Sequence, residues 1–261
     1  MKINIRLFLL LLFAISVSLP ALSQSKRGSF YEIRVYHIKN KEQEKSVDDY
    51  LKDALFPALK RYGIKYTGAF KPIGNDTLSD KRIYVLIPYK SAAHFAKLPA
   101  KLSGDRQFNN DGRTYLEAAH NQPPYQRIES ILLNAFSEMP QLEVPALQNQ
   151  AGQRVYELRS YQSPTEKIFA NKVHMFNEGG EVALFKRLGF NAVFYGSVVA
   201  GSQMPNLMYM ATFEDMKARD EHWKAFGNDQ EWKKLSAMPF YKDNVSKIDV
   251  VFLRPTDYSG I

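Results

Sequence analysis

Two stretches of alternating polarity, far apart in the chain, share one pattern. Phe30-Tyr31-Glu32-Ile33-Arg34-Val35-Tyr36 returns roughly 125 positions later as Val155-Tyr156-Glu157-Leu158-Arg159-Ser160-Tyr161. Leu59-Lys60-Arg61-Tyr62-Gly63-Ile64 returns as Phe185-Lys186-Arg187-Leu188-Gly189-Phe190, and Ile128-Glu129-Ser130-Ile131-Leu132-Leu133 as Ile248-Asp249-Val250-Val251-Phe252-Leu253. Three matched stretches in the same order describe one module written twice. In the first copy, period-two alternation predicts strands at 30–37, 65–73, 82–89 and 127–135. Helical composition predicts a helix from Lys41 to Tyr62, stopped at Gly63, and another over 91–120, interrupted near Ser103-Gly104. The second copy predicts strands at 154–161, 191–200, 206–213 and 246–254. Its first helix is opened by Pro164 and stopped at Gly189, and two more cover about 215–226 and 229–237. Ser137 to Gln153, with two prolines and four glutamines, reads as a linker.

Each half is thus a β-α-β-β-α-β module, an antiparallel sheet of four strands with helices on one face. The fold class expected is α+β: two tandem ferredoxin-like modules, 24–136 and 154–261, whose sheets pack together within one chain. In each first strand Tyr31, Ile33 and Val35, or Tyr156 and Leu158, share one face. Glu32, Arg34 and Tyr36, or Glu157, Arg159 and Tyr161, share the other. The apolar set is expected to meet the helices and the Glu-Arg-Tyr set to point into the space between the sheets. Charges on an inward face are costly unless matched, so Glu32, Arg34, Glu157 and Arg159 are expected to pair or form a network. That network is either a salt-bridge cluster fixing the sheets or the polar floor of a ligand cavity.

Composition places the chain in a compartment. Residues 1–23 have a basic start at Lys2 and Arg6, an apolar run from Leu7 to Leu19, and small residues at Ala21-Leu22-Ser23. This is the pattern of a signal peptide cleaved near Ser23-Gln24, which implies a periplasmic or secreted protein. The apolar run is shorter than the ~20 residues that span a bilayer, so no membrane anchor is expected after cleavage. The absence of cysteine removes a lipoprotein anchor, disulfides, a thiolate nucleophile and a Cys-based metal site. The net charge of +8 falls to +6 without Lys2 and Arg6, and the basic residues are scattered, which argues against nucleic acid as a partner.

Candidate chemistry concentrates in the second half. His174, Asn177, Glu178 and Glu181 fall on one stripe of a regular helix, opposite Phe169, Val173, Phe176 and Gly180. That stripe is either a solvated face or, through His174 and a carboxylate four residues on, a proton relay. It offers too few ligands for a metal, and no metal site is expected. Adjacent Gly179 and Gly180 predict a break that would turn Asn177 and Glu178 toward a sheet edge. Tyr195, Tyr209, Trp223 and Trp232 suit either a core or a small-molecule pocket. No nucleophile elbow, phosphate loop or dinucleotide fingerprint is present.

Met175-Phe176-Asn177-Glu178-Gly179-Gly180-Glu181, Phe185-Lys186-Arg187-Leu188-Gly189-Phe190, Val193-Phe194-Tyr195-Gly196, Asn206-Leu207-Met208-Tyr209-Met210, Arg219 with Trp223 and Phe226, Glu231-Trp232-Lys233-Lys234-Leu235, and Leu253-Arg254-Pro255 with Tyr258-Ser259 carry a more specific likeness. In these words, strongest over 154–259, the chain resembles the NIPSNAP family. The resemblance implies the dimeric α+β barrel fold and brings no agreed catalytic residues. Related barrels include small monooxygenases and haem-handling enzymes, so haem enters by fold analogy alone and no cofactor is predicted. The function expected is binding of a small ligand or a protein partner through the inter-sheet cavity, with self-association possible. The alternative is a cofactor-poor monooxygenase or isomerase acting there. Its catalytic candidates are Glu157, Arg159, His174 and Tyr195. The ligand-binding candidates are Glu32, Arg34, Tyr36, Glu157, Arg159, Tyr161, Asn177, Glu178 and Tyr209.

Overall fold

The computed structural model describes residues 29–261. The expected signal segment and its cleavage point lie outside them. The first module contains β1 (Phe30–Ile38), α1 (Lys41–Asp49), a π-helical stretch (Tyr50–Leu55) continuing into α2 (Phe56–Arg61), β2 (Gly68–Pro72), β3 (Lys81–Tyr89), α3 (Ala92–Ser103), α4 (Arg106–Asp111), α5 (Arg113–Leu116) and β4 (Arg127–Ala135). The second contains β5 (Val155–Gln162), α6 (Glu166–Phe176), α7 (Glu181–Arg187), β6 (Asn191–Ala200), β7 (Asn206–Phe213), α8 (Met216–Asn228), α9 (Gln230–Ser236) and β8 (Lys247–Pro255). Thr165 caps α6 by accepting from the Ile168 amide, so Pro164 lies outside that helix rather than opening it. The break at the glycine pair is as expected. Gly180 adopts φ +86 between α6 and α7, a conformation that favours glycine.

Strand order within the modules is β4-β1-β3-β2 and β8-β5-β7-β6, and all pairs are antiparallel. The two sheets do more than stack. β2 pairs with β8 and β4 with β6, so the eight strands close into one barrel and leave no open sheet edge among them. At the second joint Gly196 lies opposite Ala135, and a Cβ on Gly196 would stand 2.9 Å from the Asn134 carbonyl oxygen. Only glycine lets the two backbones come so close.

Closure corrects the expected faces. Tyr31, Ile33 and Val35 point into the barrel, where they pack with Tyr156, Leu158, Phe194 and Met210 of the other module. The Tyr31 and Phe194 rings lie 5.3 Å apart and those of Phe70 and Tyr156 4.9 Å apart. Leu147 of the linker and Ile261 of the C-terminal tail join the same cluster. Side chains therefore fill the space between the sheets where a polar cavity was expected. The Glu-Arg-Tyr set points outward, under the helices. Tyr36 and Ile38 pack with Val47, Leu51, Leu98 and Phe108 of the first helical layer. Tyr161, Tyr195 and Tyr209 pack with Phe176, Phe185 and Phe226 of the second. The physical reason is that β1 and β5 are buried on both faces, so the cheaper place for a charge is the layer where helices can bring it a partner.

The linker has no regular structure, but it is packed. Phe136 and Met139 enter the second helical core, and the Glu143 amide donates to the Val193 carbonyl at 3.1 Å. Among the described residues no helix is long and apolar enough to cross a membrane.

The inward placement of Tyr31 is testable because it brings together two residues of different modules. A double-mutant cycle on Tyr31→Ala and Phe194→Ala, measured by urea unfolding, is expected to give a coupling of about 0.5–1.5 kcal/mol. A coupling indistinguishable from zero would contradict the barrel-interior assignment.

Candidate functional site

The two copies of the strand signature give two carboxylates with different surroundings. In the first copy Glu32 accepts from Arg34 twice, Nε at 3.0 Å and Nη2 at 3.1 Å, from the Tyr89 hydroxyl at 2.9 Å and from Ser130 Oγ at 2.9 Å. All these donors lie on the sheet, so Glu32 ties β1 to both of its neighbours. In the second copy Glu157 reaches up to a helix. Its Oε1 accepts from Arg159 Nη1 at 2.5 Å and Arg219 Nη2 at 3.0 Å, and its Oε2 from Arg219 Nε at 2.8 Å and Trp223 Nε1 at 2.8 Å. Arg219 and Trp223 are four residues apart on α8 and so present one face to the strand.

Glu157 is fully buried and Arg159 nearly so, with 12% of its side chain exposed. The guanidinium carbon of Arg159 sits 4.4 Å from the Trp223 ring centre, and its Nε donates to the Tyr161 hydroxyl at 3.0 Å. That hydroxyl is 3.0 Å from the Tyr209 hydroxyl. Burial alone would raise the Glu157 carboxyl. Hydrogen bonds from Arg219 and Trp223 and the charge of Arg159 outweigh it and hold the group below the ordinary carboxylate value. Glu157 is thus an ionised group with its acceptor sites occupied, which makes it a clamp between β5 and α8 rather than a proton acceptor. Burial drives Tyr161 and Tyr209 above the ordinary tyrosine value, so both stay protonated.

The other candidates fall in three places. The break after α6 splits the expected polar stripe. Asn177 is buried and faces the linker, accepting from Ser137 Oγ at 3.0 Å and the Glu138 amide at 3.2 Å. Glu181 is buried and paired with Lys172 at 2.9 Å. Burial raises its carboxyl despite the Lys172 charge. His174 and Glu178 remain on the surface, where His174 Nδ1 is 2.9 Å from the Tyr241 hydroxyl. Among the described residues no group of three or more histidines and carboxylates is placed to hold a metal ion. Glu32, Arg34 and Tyr36 belong to the first module's helical layer, away from Glu157 and Arg159, so the four charged residues form two separate pairs.

Tyr195 differs from the rest. It lies on β6 at the floor of a cleft of about 270 Å³ between the linker, α7 and the start of β6. Met139, Val182 and Phe190 make the floor apolar, and Glu138, Glu143 and Lys186 stand exposed at the rim. The residue as a whole is 2% exposed, and its hydroxyl makes no hydrogen bond among the described residues; unlike the Tyr31, Tyr36 and Tyr156 hydroxyls, which are sealed without a partner, it opens into the cleft. Two features of this region were missed from sequence: the linker as one wall of a cleft, and Lys172 as the partner of Glu181. The pairing of Arg219 with Trp223 four residues on was a usable signal for the Glu157 clamp.

Three comparisons bear on this geometry. The NIPSNAP family model matches residues 156–260. No curated protein matches the chain. Among solved structures, a protein from Lactobacillus acidophilus NCFM, provisionally named a monooxygenase, is similar at 10% identity over 87% of this chain and 94% of its own, with a TM-score of 0.57. An anthrone oxidase-like protein is similar at 9% identity over 89% and 93%, with a TM-score of 0.51. A NIPSNAP family protein from Agrobacterium tumefaciens strain C58 is 19% identical over 46% of this chain and 97% of its own, with a TM-score of 0.37. The first two likenesses span both modules and show the fold alone.

The clamp makes two predictions. Arg159→Ala is expected to cost about 3–5 kcal/mol in urea unfolding, since it strips a partner from a buried carboxylate; a loss below about 1 kcal/mol contradicts the clamp. For pH, a lowered folded-state value means that Glu157 adds stability above the unfolded value of about 4.3 and loses it as pH falls through the folded one. Glu181, raised by burial, acts in the opposite sense and loses stability as pH rises. Between pH 7 and 3, Glu157→Gln should therefore show a shallower acid loss than wild type and Glu181→Gln a steeper one. Identical slopes for all three proteins would contradict both assignments.

Proposed function

We propose, from the premise that residues 156–260 of this chain are a NIPSNAP domain, that the protein binds a small molecule in its second module, on the helix-facing side of the sheet. The Glu157-Arg159 pair then supports the site and is not its acid–base couple. The observation that carries this reading is the set of four hydrogen bonds on Glu157, which leaves a substrate no acceptor to use as a base. Two donors stay open beside that clamp: the Arg159 Nη2 group, which makes no hydrogen bond among the described residues, and the Tyr195 hydroxyl. A cofactor-poor monooxygenase or isomerase asks for a base free to take a proton, and neither Glu157 nor Glu32 has one to offer. The oxygenase names of the structural relatives belong to those proteins and support a shared barrel. The leader-like segment at 1–23 supports export to the periplasm or cell exterior as the setting.

Native mass spectrometry of the protein purified from its own host without denaturant is expected to show a small non-covalent adduct that leaves on acid denaturation. A chain that carries no adduct, even after incubation with an extract of host small molecules, contradicts the reading. The same spectra are expected to start at Gln24; retention of residues 1–23 in exported protein contradicts the assigned cleavage.

A further inference from the structure

The cleft over Tyr195 combines an unpartnered donor that opens into it with an apolar floor and a charged rim. Larger clefts of about 570 and 750 Å³ lie in the first module, but their buried polar side chains are already bonded. Tyr89 donates to Glu32, and Gln43 donates to the Pro123 carbonyl. Tyr195 differs from these because nothing in the protein uses its hydroxyl, and it differs from the sealed, unpartnered hydroxyls of Tyr31, Tyr36 and Tyr156 because it opens into a cleft, where water or a ligand completes its hydrogen bond. Burial, with the nearby charges of Glu181 and Glu143, drives this hydroxyl well above the ordinary tyrosine value. It therefore stays protonated and donates.

We propose that this cleft is the ligand site of the second module, and that its ligand is a small neutral molecule with one hydrogen-bond acceptor on an apolar body. The inference rests on the small-molecule reading above and gives it a place and a chemical class. Size comes from the cleft: about 270 Å³ is near the lower end of small-molecule pockets, room for a single ring rather than an extended cofactor. Polarity comes from its walls. Met139, Val144, Pro145, Val182, Phe190 and Ala192 surround the one inner donor, so the ligand's acceptor must meet Tyr195 while its body stays apolar. Charge comes from the rim, where Glu138 and Glu143 outnumber Lys186 and disfavour an anion. The Asn177 side chain accepts from Ser137 and from the Glu138 amide, which fixes the start of the linker over the cleft.

Acetophenone, ethylbenzene and benzoate separate these requirements at nearly constant size. Their dissociation constants can be measured by amide chemical-shift titration of the mature protein. Acetophenone is expected to bind about fivefold or more tighter than ethylbenzene, which lacks the acceptor, and tighter than benzoate, which carries a charge. Tyr195→Phe keeps the ring and removes the hydroxyl, so it should erase the preference for acetophenone over ethylbenzene while both still bind. Ala192→Phe fills the cleft and should abolish binding of both, with unfolding checked separately. Equal affinities in wild type, no saturable binding of either probe, or a preference that survives Tyr195→Phe overturns the proposal. If a co-purified adduct persists in folded Ala192→Phe, the cleft assignment fails and the small-molecule reading stands. If wild type itself carries no adduct, even after incubation with host small molecules, the small-molecule reading falls.

Discussion

A carboxylate sealed from water has to be matched, and Glu157 is matched by three side chains from two layers of the molecule. Arg159 comes from its own strand, and Arg219 and Trp223 from the helix above. The removal of one ion from water costs several kcal/mol, and only a saturated arrangement offsets it. That requirement sets the orientation of β5, because the strand can satisfy Glu157 only by facing it toward α8. Once β5 is so turned, Tyr156 and Leu158 face the barrel, and the interior becomes the apolar cluster that joins the two modules.

The duplication shows the same constraint solved twice. Glu32 uses Arg34, Tyr89 and Ser130, all on the sheet, so it fastens strands to one another. Glu157 fastens the sheet to a helix and stacks its arginine on Trp223. The first module has no tryptophan, and its helical layer packs on Tyr36, Tyr50 and Phe108 instead. The copies have thus kept the frame and diverged in how the helices are held. The linker lies over the second copy, and the cleft under it has Tyr195 at its floor.

Element order and the strand repeat were readable in the chain because period-two alternation and glycine stops are local. The boundaries 127–135, 191–200 and 206–213 agree with β4, β6 and β7. The break at Gly179-Gly180 was local too, since a left-handed backbone at Gly180 favours that residue. Which face of β1 and β5 turned inward was not local. Both faces are buried, so the alternation that normally separates core from solvent here separated one core from another. The answer depended on Arg219 and Trp223, more than sixty residues further along the chain. Nor could spacing reveal that β2 and β8 would pair, or that an irregular linker would wall a cleft. Those are properties of closure, which appears only when both modules are present.

The proposed ligand lies outside the barrel, over Tyr195, with the Glu157 clamp intact beneath the neighbouring helices. A crystal of the mature protein soaked in acetophenone tests this most directly. Density for the ring is expected in the cleft between the linker and α7, with its carbonyl oxygen within hydrogen-bond reach of the Tyr195 hydroxyl and the bonds from Arg219 and Trp223 to Glu157 unchanged. Density inside the barrel, or beside Arg159 with the clamp opened, would contradict it.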